Sequence, residues 1–197
     1  MRSASGLAAH YRARFAEHGD DSLSTQMSPE GQRFRFEKLF EIADLDGASV
    51  LDLGSGLGAM YPPLRARFAT ARYHGVDVVP EMVACAAAKH PGASFQVANL
   101  LEDEVGARFD YVLMSAIFNN VMSDATSFLE ALVERAWAHA DRGLGFNFLS
   151  HHVNFSEDSM AYHDPARVLD FCIRRLSPRV RIEHHYQRCD VVVFVYR

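Results

Sequence analysis

The chain has 197 residues, of which 49% are hydrophobic and 23% are charged, and its formal net charge is −5. This is the composition of an ordinary globular domain, and the acidic balance argues against a nucleic-acid partner. No stretch has the apolar length of a membrane span or of a secretory signal. Three scattered cysteines, Cys85, Cys172 and Cys189, form no C-x-x-C pair. We therefore expect a cytoplasmic protein in a reducing compartment.

Capping signals and apolar spacing predict helices that alternate with strands. The predicted helices cover residues 6–18, a segment that begins at Pro29, a segment that ends near residue 70, and residues 80–90, 124–140 and 165–176. The predicted strands cover residues 49–53, 72–79, 94–98, 110–115, 144–149, 180–186 and 191–196. This alternation indicates an α/β fold with a mostly parallel sheet and helices on both faces.

The last two predicted strands are separated only by residues 187–190, so they must form an antiparallel hairpin. One strand therefore runs against the others. We predict a single domain over residues 1–197. Within it, residues 1–46 form a short helical cap, and residues 47–197 form the α/β core that binds a cofactor.

A glycine-rich turn follows the first predicted strand in the segment VLDLGSGLGAM, residues 50–60. Ligands of open α/β sheets bind beyond the carboxyl ends of the strands, and glycine lets the backbone approach them closely. The segment fits the G-x-G-x-x-A turn of dinucleotide-binding proteins. However, Asp52 precedes Gly54 by two residues, and a carboxylate there would repel a pyrophosphate and favour a cationic ligand.

A second acid, Asp77, ends the next predicted strand, where it can accept hydrogen bonds from both ribose hydroxyls. Dinucleotide-binding proteins and proteins that bind a cationic nucleoside share this feature, so Asp77 does not distinguish them. Three hypotheses stay open on these residues: an enzyme with a cationic nucleoside cofactor, an NAD(P)-dependent oxidoreductase with the G-x-G-x-x-A turn, and a non-catalytic partner protein of the same fold.

The motifs together resemble those of the class I S-adenosylmethionine-dependent methyltransferases. Residues 52–58 match the D/E-x-G-x-G-x-G motif, FQVANL matches the segment after the third strand, and FDYVLMSAIFN matches the fourth-strand motif. The terminal hairpin is similar to the antiparallel strand of that family. The resemblance covers roughly residues 30–197. A narrower likeness, carried by QRFRF, Ser115-x-x-x-Asn119 and FNFLS, is to small bacterial enzymes that methylate small molecules.

The resemblance implies a Rossmann-like seven-stranded sheet with the strand order 3-2-1-4-5-7-6. It implies S-adenosylmethionine as cofactor and S-adenosylhomocysteine as product. The residues that it assigns to cofactor binding are Arg35, Asp52, Gly54, Gly56, Asp77, Val78, Met82, Asn99, Leu100 and Ser115. Asn99 departs from the aspartate that the family usually has there, but its side-chain oxygen can still accept a hydrogen bond from the adenine amino group.

Catalysis of methyl transfer depends mainly on alignment of the acceptor atom with the methyl carbon, and a general base helps if the acceptor is a hydroxyl. His151 directly follows the fifth predicted strand, so we predict it as that base. The residues that we predict to bind the acceptor are Tyr11, His18, Asn119, His152 and Tyr162. No carboxylate or histidine supports the His151–His152 pair at a helical interval, so no metal is predicted.

The resulting prediction is a methyltransferase that acts on an oxygen or nitrogen of a small molecule in secondary or specialised metabolism. We expect a monomer or a homodimer with neither a nucleic-acid nor a membrane partner.

Overall fold

The computed structural model describes residues 4–103, 105–186 and 189–197. Its helices are α1 (Ala4–His18), α2 (Pro29–Leu39), α3 (Tyr61–Arg67), α4 (Pro80–Lys89), α5 (Ala125–Ala138) and α6 (Pro165–Arg175). Its strands are β1 (Ser49–Leu53), β2 (Arg72–Asp77), β3 (Ser94–Val97), β4 (Phe109–Met114), β5 (Ala140–Leu149), β6 (Val180–Glu183) and β7 (Asp190–Tyr196). Short 3₁₀ turns cover Ser22–Thr25, Phe40–Ile42 and Ile117–Asn119.

The strands form one sheet in the order β3-β2-β1-β4-β5-β7-β6. Strands β1 to β5 pair in parallel, and β7 is antiparallel to both β5 and β6. The predicted fold class and strand order are therefore confirmed. The predicted hairpin is also present, but Gln187 and Arg188 of its connection lie outside the described residues.

Two hydrophobic clusters cover the two faces of the sheet. Alternate residues of a strand point to opposite faces, and β7 shows this directly. Val191, Val193 and Val195 pack in one cluster, together with residues of α5 and α6. Val192 and Phe194 pack in the other, together with residues of α2 and α3. The sheet is thus buried on both sides, as expected for parallel strands covered by helices.

Several element boundaries differ from those predicted. The helix after the glycine turn begins only at Tyr61, because Gly54, Gly56 and Gly58 adopt left-handed backbone conformations. Strand β5 begins at Ala140, four residues before its predicted start. Strand β6 ends at Glu183, three residues before its predicted end.

The N-terminal helix α1 packs on α4 beside the glycine turn. Tyr11 and Phe15 contact the small cluster formed by Leu57, Val79 and Met82. Arg12 of α1 pairs with Glu81 of α4 at 3.2 Å, and Lys89 of α4 pairs with Asp20, which follows α1, at 2.5 Å. The segment before β1 therefore covers the carboxyl end of the sheet, while the cap boundary at residue 46 stays a prediction. In the part of the chain that the structure describes, no helix has both the length and the apolarity to cross a membrane.

Candidate active site

A cavity of about 570 Å³ lies between the carboxyl ends of the parallel strands and the N-terminal segment. Its floor is formed by residues at the ends of β1, β2 and β4. The predicted site residues that line it are Tyr11, Asp52, Gly54, Gly56, Asp77, Val78, Met82, Asn99, Leu100 and Ser115. The fold thus brings the ends of strands that are distant in the sequence to one cavity.

The glycine turn is fixed by hydrogen bonds to β2. The amides of Gly54 and Ser55 donate to the Val76 carbonyl at 2.8 and 3.0 Å, and the amide of Gly56 donates to Asp77 Oδ2 at 2.8 Å. Gly56 has a φ of +51°, and a Cβ atom there would lie 3.4 Å from Thr25 Cγ2. Thr25 of the N-terminal segment therefore lies directly against the turn. The absence of a side chain at Gly56 keeps the space between them open.

Asp77 connects the glycine turn to α4 through both carboxylate oxygens. Oδ2 accepts the Gly56 amide, and Oδ1 accepts the Val79 amide at 2.9 Å. Burial raises the pKa of Asp77, whereas these amide hydrogen bonds act to lower it. Each carboxylate oxygen can accept more than one hydrogen bond, so Asp77 can also accept from ribose hydroxyls.

Asp52 is buried at the cavity, with 3% of its surface exposed. The Tyr73 hydroxyl donates a hydrogen bond to Asp52 Oδ2 at 2.6 Å. Burial raises the pKa of Asp52 to about 7; the Tyr73 hydrogen bond acts to lower it, and the nearby Asp77 charge raises it further. Among the described residues Asp52 forms no ion pair. A cationic ligand group at this point of the cavity would therefore stabilise the carboxylate.

Two further polar side chains of the cavity lining follow β3 and β4. Ser115 Oγ is buried and has no hydrogen-bond partner within the described ranges, so it is available to a ligand. Asn99 Oδ1, which we expected to face the adenine amino group, accepts a hydrogen bond from the Leu101 amide at 3.2 Å. That bond fixes its orientation and leaves the oxygen a further acceptor position.

Arg35, predicted to bind the cofactor carboxylate, does not line the cavity. Its Nε and Nη2 atoms donate to the two carboxylate oxygens of Asp190, at 2.7 and 2.9 Å. Asp190 begins β7 and its side chain is only 3% exposed, so it needs a cationic partner, and α2 brings Arg35 to it. The guanidinium fork is thus engaged in a structural ion pair.

We expect Arg35→Ala to destabilise the protein by about 3 kcal/mol, because it leaves the buried Asp190 carboxylate unpaired. The affinity for S-adenosylhomocysteine should change little. Denaturant unfolding and calorimetry on the same variant measure the two effects separately. A large loss of affinity without loss of stability would instead support the role in cofactor binding that the sequence predicted.

Of the predicted acceptor residues, only Tyr11 lines the cavity, and Asn120 Nδ2 donates to its hydroxyl at 2.9 Å. Tyr162 instead accepts the Glu157 amide at 3.1 Å. His18 lies 3.6 Å from a Glu17 carboxylate oxygen. The backbone carbonyl of Asn119 accepts a hydrogen bond from the Ala161 amide at 2.9 Å. These three residues lie outside the cavity lining, and within the described ranges the buried side-chain oxygen of Asn119 has no hydrogen-bond partner.

His151 and His152 also lie outside the cavity lining, on the exposed loop after β5. Their Nε2 atoms are 3.1 Å apart, and Nε2 of His151 is 3.8 Å from Asp164 Oδ1. The position of His151 outside the cavity lining does not support it as the general base. Its catalytic role stays a prediction.

Several cavity residues were missed from the sequence. The most informative is Gln32, which is 8% exposed and donates from Nε2 to Thr25 Oγ1 at 2.5 Å. The others that we did not predict include Leu7, Thr25, Phe36, Ile117 and Phe128. A buried glutamine is unusual, but its burial is visible only in the structure, so the sequence contained no signal for this face of α2.

The strand order, the reversed β7, the glycine turn and its two acids together define a protein that binds a nucleoside cofactor with a cationic group. A family model described as "Methyltransferase domain" matches residues 51–138. A putative methyltransferase of Mycobacterium tuberculosis, Rv1506c, is 34% identical over 159 residues, which cover 76% of this chain and 93% of that protein.

Solved structures show the same fold over nearly the whole chain. The complex of DhpI with SAH has a TM-score of 0.72 at 20% identity, covering 99% of this chain and 98% of that one. Magnesium protoporphyrin IX methyltransferase (ChlM) from Synechocystis, with bound SAH, has a TM-score of 0.68 at 17% identity, covering 98% and 95%. The chain belongs to the class I S-adenosylmethionine-dependent methyltransferases, and the oxidoreductase hypothesis is wrong.

The residues at the cavity fit this cofactor. Asp52 offers a buried carboxylate for a cationic group, Asp77 offers acceptors for ribose hydroxyls, and Ser115 offers an unpartnered hydroxyl. Met82 and Leu100 are buried apolar residues suited to the faces of an adenine ring. When bound, S-adenosylmethionine supplies an electrophilic methyl group on a sulfonium. The protein's part is to bind it, orient the acceptor and exclude water.

Proposed function

We propose that this methyltransferase acts on an oxygen or nitrogen atom of a small-molecule acceptor, in secondary or specialised metabolism. We further propose that it works in the cytoplasm as a monomer or homodimer, without a nucleic-acid partner. The observation that carries the proposal is the coverage of the cavity by the N-terminal segment. A cap of this kind leaves room for a small acceptor but hinders access by a folded macromolecule.

The cavity also has apolar walls that suit an acceptor with an apolar body. Leu7 and Tyr11 of α1 line it together with Ile117 and Phe128. The Tyr11 hydroxyl, oriented by Asn120, is the polar group among them. A cavity of about 570 Å³ lies in the usual size range of small-molecule sites. Apolar walls with few polar groups bind by shape and orient the acceptor through those groups.

The experiment that tests this proposal is a methyl-transfer screen with isotopically labelled S-adenosylmethionine. The purified chain is incubated with fractionated small-molecule extracts, and labelled products are identified by mass spectrometry. We expect label in at least one small molecule. A Gly56→Arg protein, which should not bind the cofactor, controls for background transfer. Incorporation only into added protein or nucleic acid would contradict the proposal.

A further inference from the structure

A group of metal-ligating side chains lies outside the cavity, where the loop after β5 meets the start of α6. One side-chain atom each of His151, His152 and Asp164 lies within 4.8 Å of the other two. The two histidine Nε2 atoms are 3.1 Å apart, and Asp164 Oδ1 is 3.8 Å from His151 Nε2. The carboxylate that the sequence pattern lacked is therefore supplied by the fold, from the segment that follows Tyr162 and His163.

The backbone holds the two segments that carry these ligands together. The His163 amide donates to the Leu149 carbonyl at 2.8 Å, and the His151 amide donates to the His163 carbonyl at 2.9 Å. Ser150 and His163 form a parallel bridge between the same segments. The Asp164 side chain is fixed in turn as the N-cap of α6, accepting the Ala166 amide at 2.9 Å. The cluster is therefore a product of the fold and not of a chance approach of long side chains.

The spacing suits a divalent ion. With bonds of about 2.1 Å to both imidazole nitrogens, a separation of 3.1 Å gives a nitrogen–metal–nitrogen angle of about 95°. Two imidazoles and one carboxylate are ligands that zinc and its neighbours accept, and three protein ligands leave a position for water or a further ligand. All three residues are partly or largely exposed, so an ion can reach them.

We propose that His151, His152 and Asp164 bind a divalent transition-metal ion of the zinc class. The site shares no residue with the cavity lining, so it does not depend on the proposed acceptor. The proposed site also affects the predicted role of His151 as general base. A bound ion would occupy the nitrogen lone pair that a general base requires, so metal binding and proton abstraction by that nitrogen exclude each other.

The test is binding of Zn²⁺ and Co²⁺, each alone, to the full chain without cofactor. Calorimetry and equilibrium dialysis should show one ion bound at this site. Bound Co²⁺ should show visible absorption without the charge-transfer band of a cobalt–thiolate bond, because Cys85, Cys172 and Cys189 are not ligands. His151→Gln, His152→Gln and Asp164→Asn should each weaken binding by more than about tenfold, since loss of an outer-shell partner alone costs about 10–100-fold.

The chain offers a matched control in its second histidine pair, His184 and His185, which is exposed in the terminal hairpin. Replacing both with glutamine should leave binding unchanged. Asparagine caps a helix as well as aspartate does, so Asp164→Asn should keep α6 intact, and thermal unfolding checks this. No saturable binding by the wild type, binding that survives His151→Gln/His152→Gln, or a thiolate band would each overturn the proposal. None of these outcomes depends on methyl transfer.

Discussion

Gly56→Arg should weaken binding of S-adenosylhomocysteine by more than about 100-fold, which corresponds to about 3 kcal/mol. Gly56 lies at the centre of the glycine turn, and its missing side chain would point toward Thr25, 3.4 Å from the position of a Cβ atom. Arginine would therefore extend into the cavity between the turn and the cap, where the cofactor binds. Calorimetric titration of the purified variant measures the loss.

The matched control for this substitution is Gly47→Arg. Gly47 also has a left-handed backbone, with a φ of +72°, but a Cβ atom there would have no neighbour within 4 Å. Both variants should lose about 1 kcal/mol of stability from backbone strain, and only Gly56→Arg should lose affinity. Equal loss of affinity in both variants would show that strain, and not occupation of the cavity, prevents binding.

The location of the cofactor site followed from the sequence because its residues lie at strand ends. Apolar runs identified β1, β2 and β4, and parallel strands bring their carboxyl ends to one edge of the sheet. Asp52 and Asp77 therefore had to meet near the glycine turn, and they do. The choice of a cationic cofactor over a pyrophosphate rested on Asp52, and the membership of the methyltransferase family confirms it.

The residues that sequence reasoning misplaced belong to loops and to contacts between distant segments. Arg35 pairs with Asp190 across 155 positions, and no local pattern indicates which buried acid a helical arginine will meet. The same holds for Asp164 beside His151. Among the predicted acceptor residues, the Tyr162 hydroxyl accepts the Glu157 amide and does not line the cavity. Loop conformation decides these contacts, and the periodicity of helices and strands carries no information about it.

Asp52→Asn should both stabilise the protein without its cofactor and strongly weaken cofactor binding. Burial raises the pKa of Asp52 to about 7, from an ordinary value of 3.8. The stability that this group contributes is fully present below pH 3.8 and is lost as the pH rises through about 7, where the folded protein must ionise it. Asparagine can still accept the Tyr73 hydrogen bond but never ionises. Thermal unfolding at about pH 8 should show the variant to be the more stable.

The loss of affinity in Asp52→Asn should come from the missing charge opposite the cationic group, and we expect at least about tenfold. Asp124→Asn is the control, because Asp124 is an exposed N-cap of α5 that asparagine replaces well. It makes the same chemical change away from the cavity and should bind like the wild type. If Asp52→Asn also binds like the wild type, then Asp52 does not interact with the cationic part of the cofactor.

The raised pKa of Asp52 should also make cofactor binding depend on pH. The charged groups around the Asp52 carboxyl are Asp77, which opposes its ionisation, and any cation of the ligand, which favours it. Wild-type affinity for S-adenosylmethionine should therefore increase as the pH rises from about 5.5 to about 6.5, below the range in which an α-amino group loses its proton. Binding should be accompanied by release of a proton, measurable as a dependence of the calorimetric heat on the ionisation enthalpy of the buffer. Asp52→Asn should lose both effects, whereas Asp124→Asn should keep them. If Asp52→Asn still releases a proton on binding, the proton comes from another group. Asp52 is then already ionised before the cofactor binds.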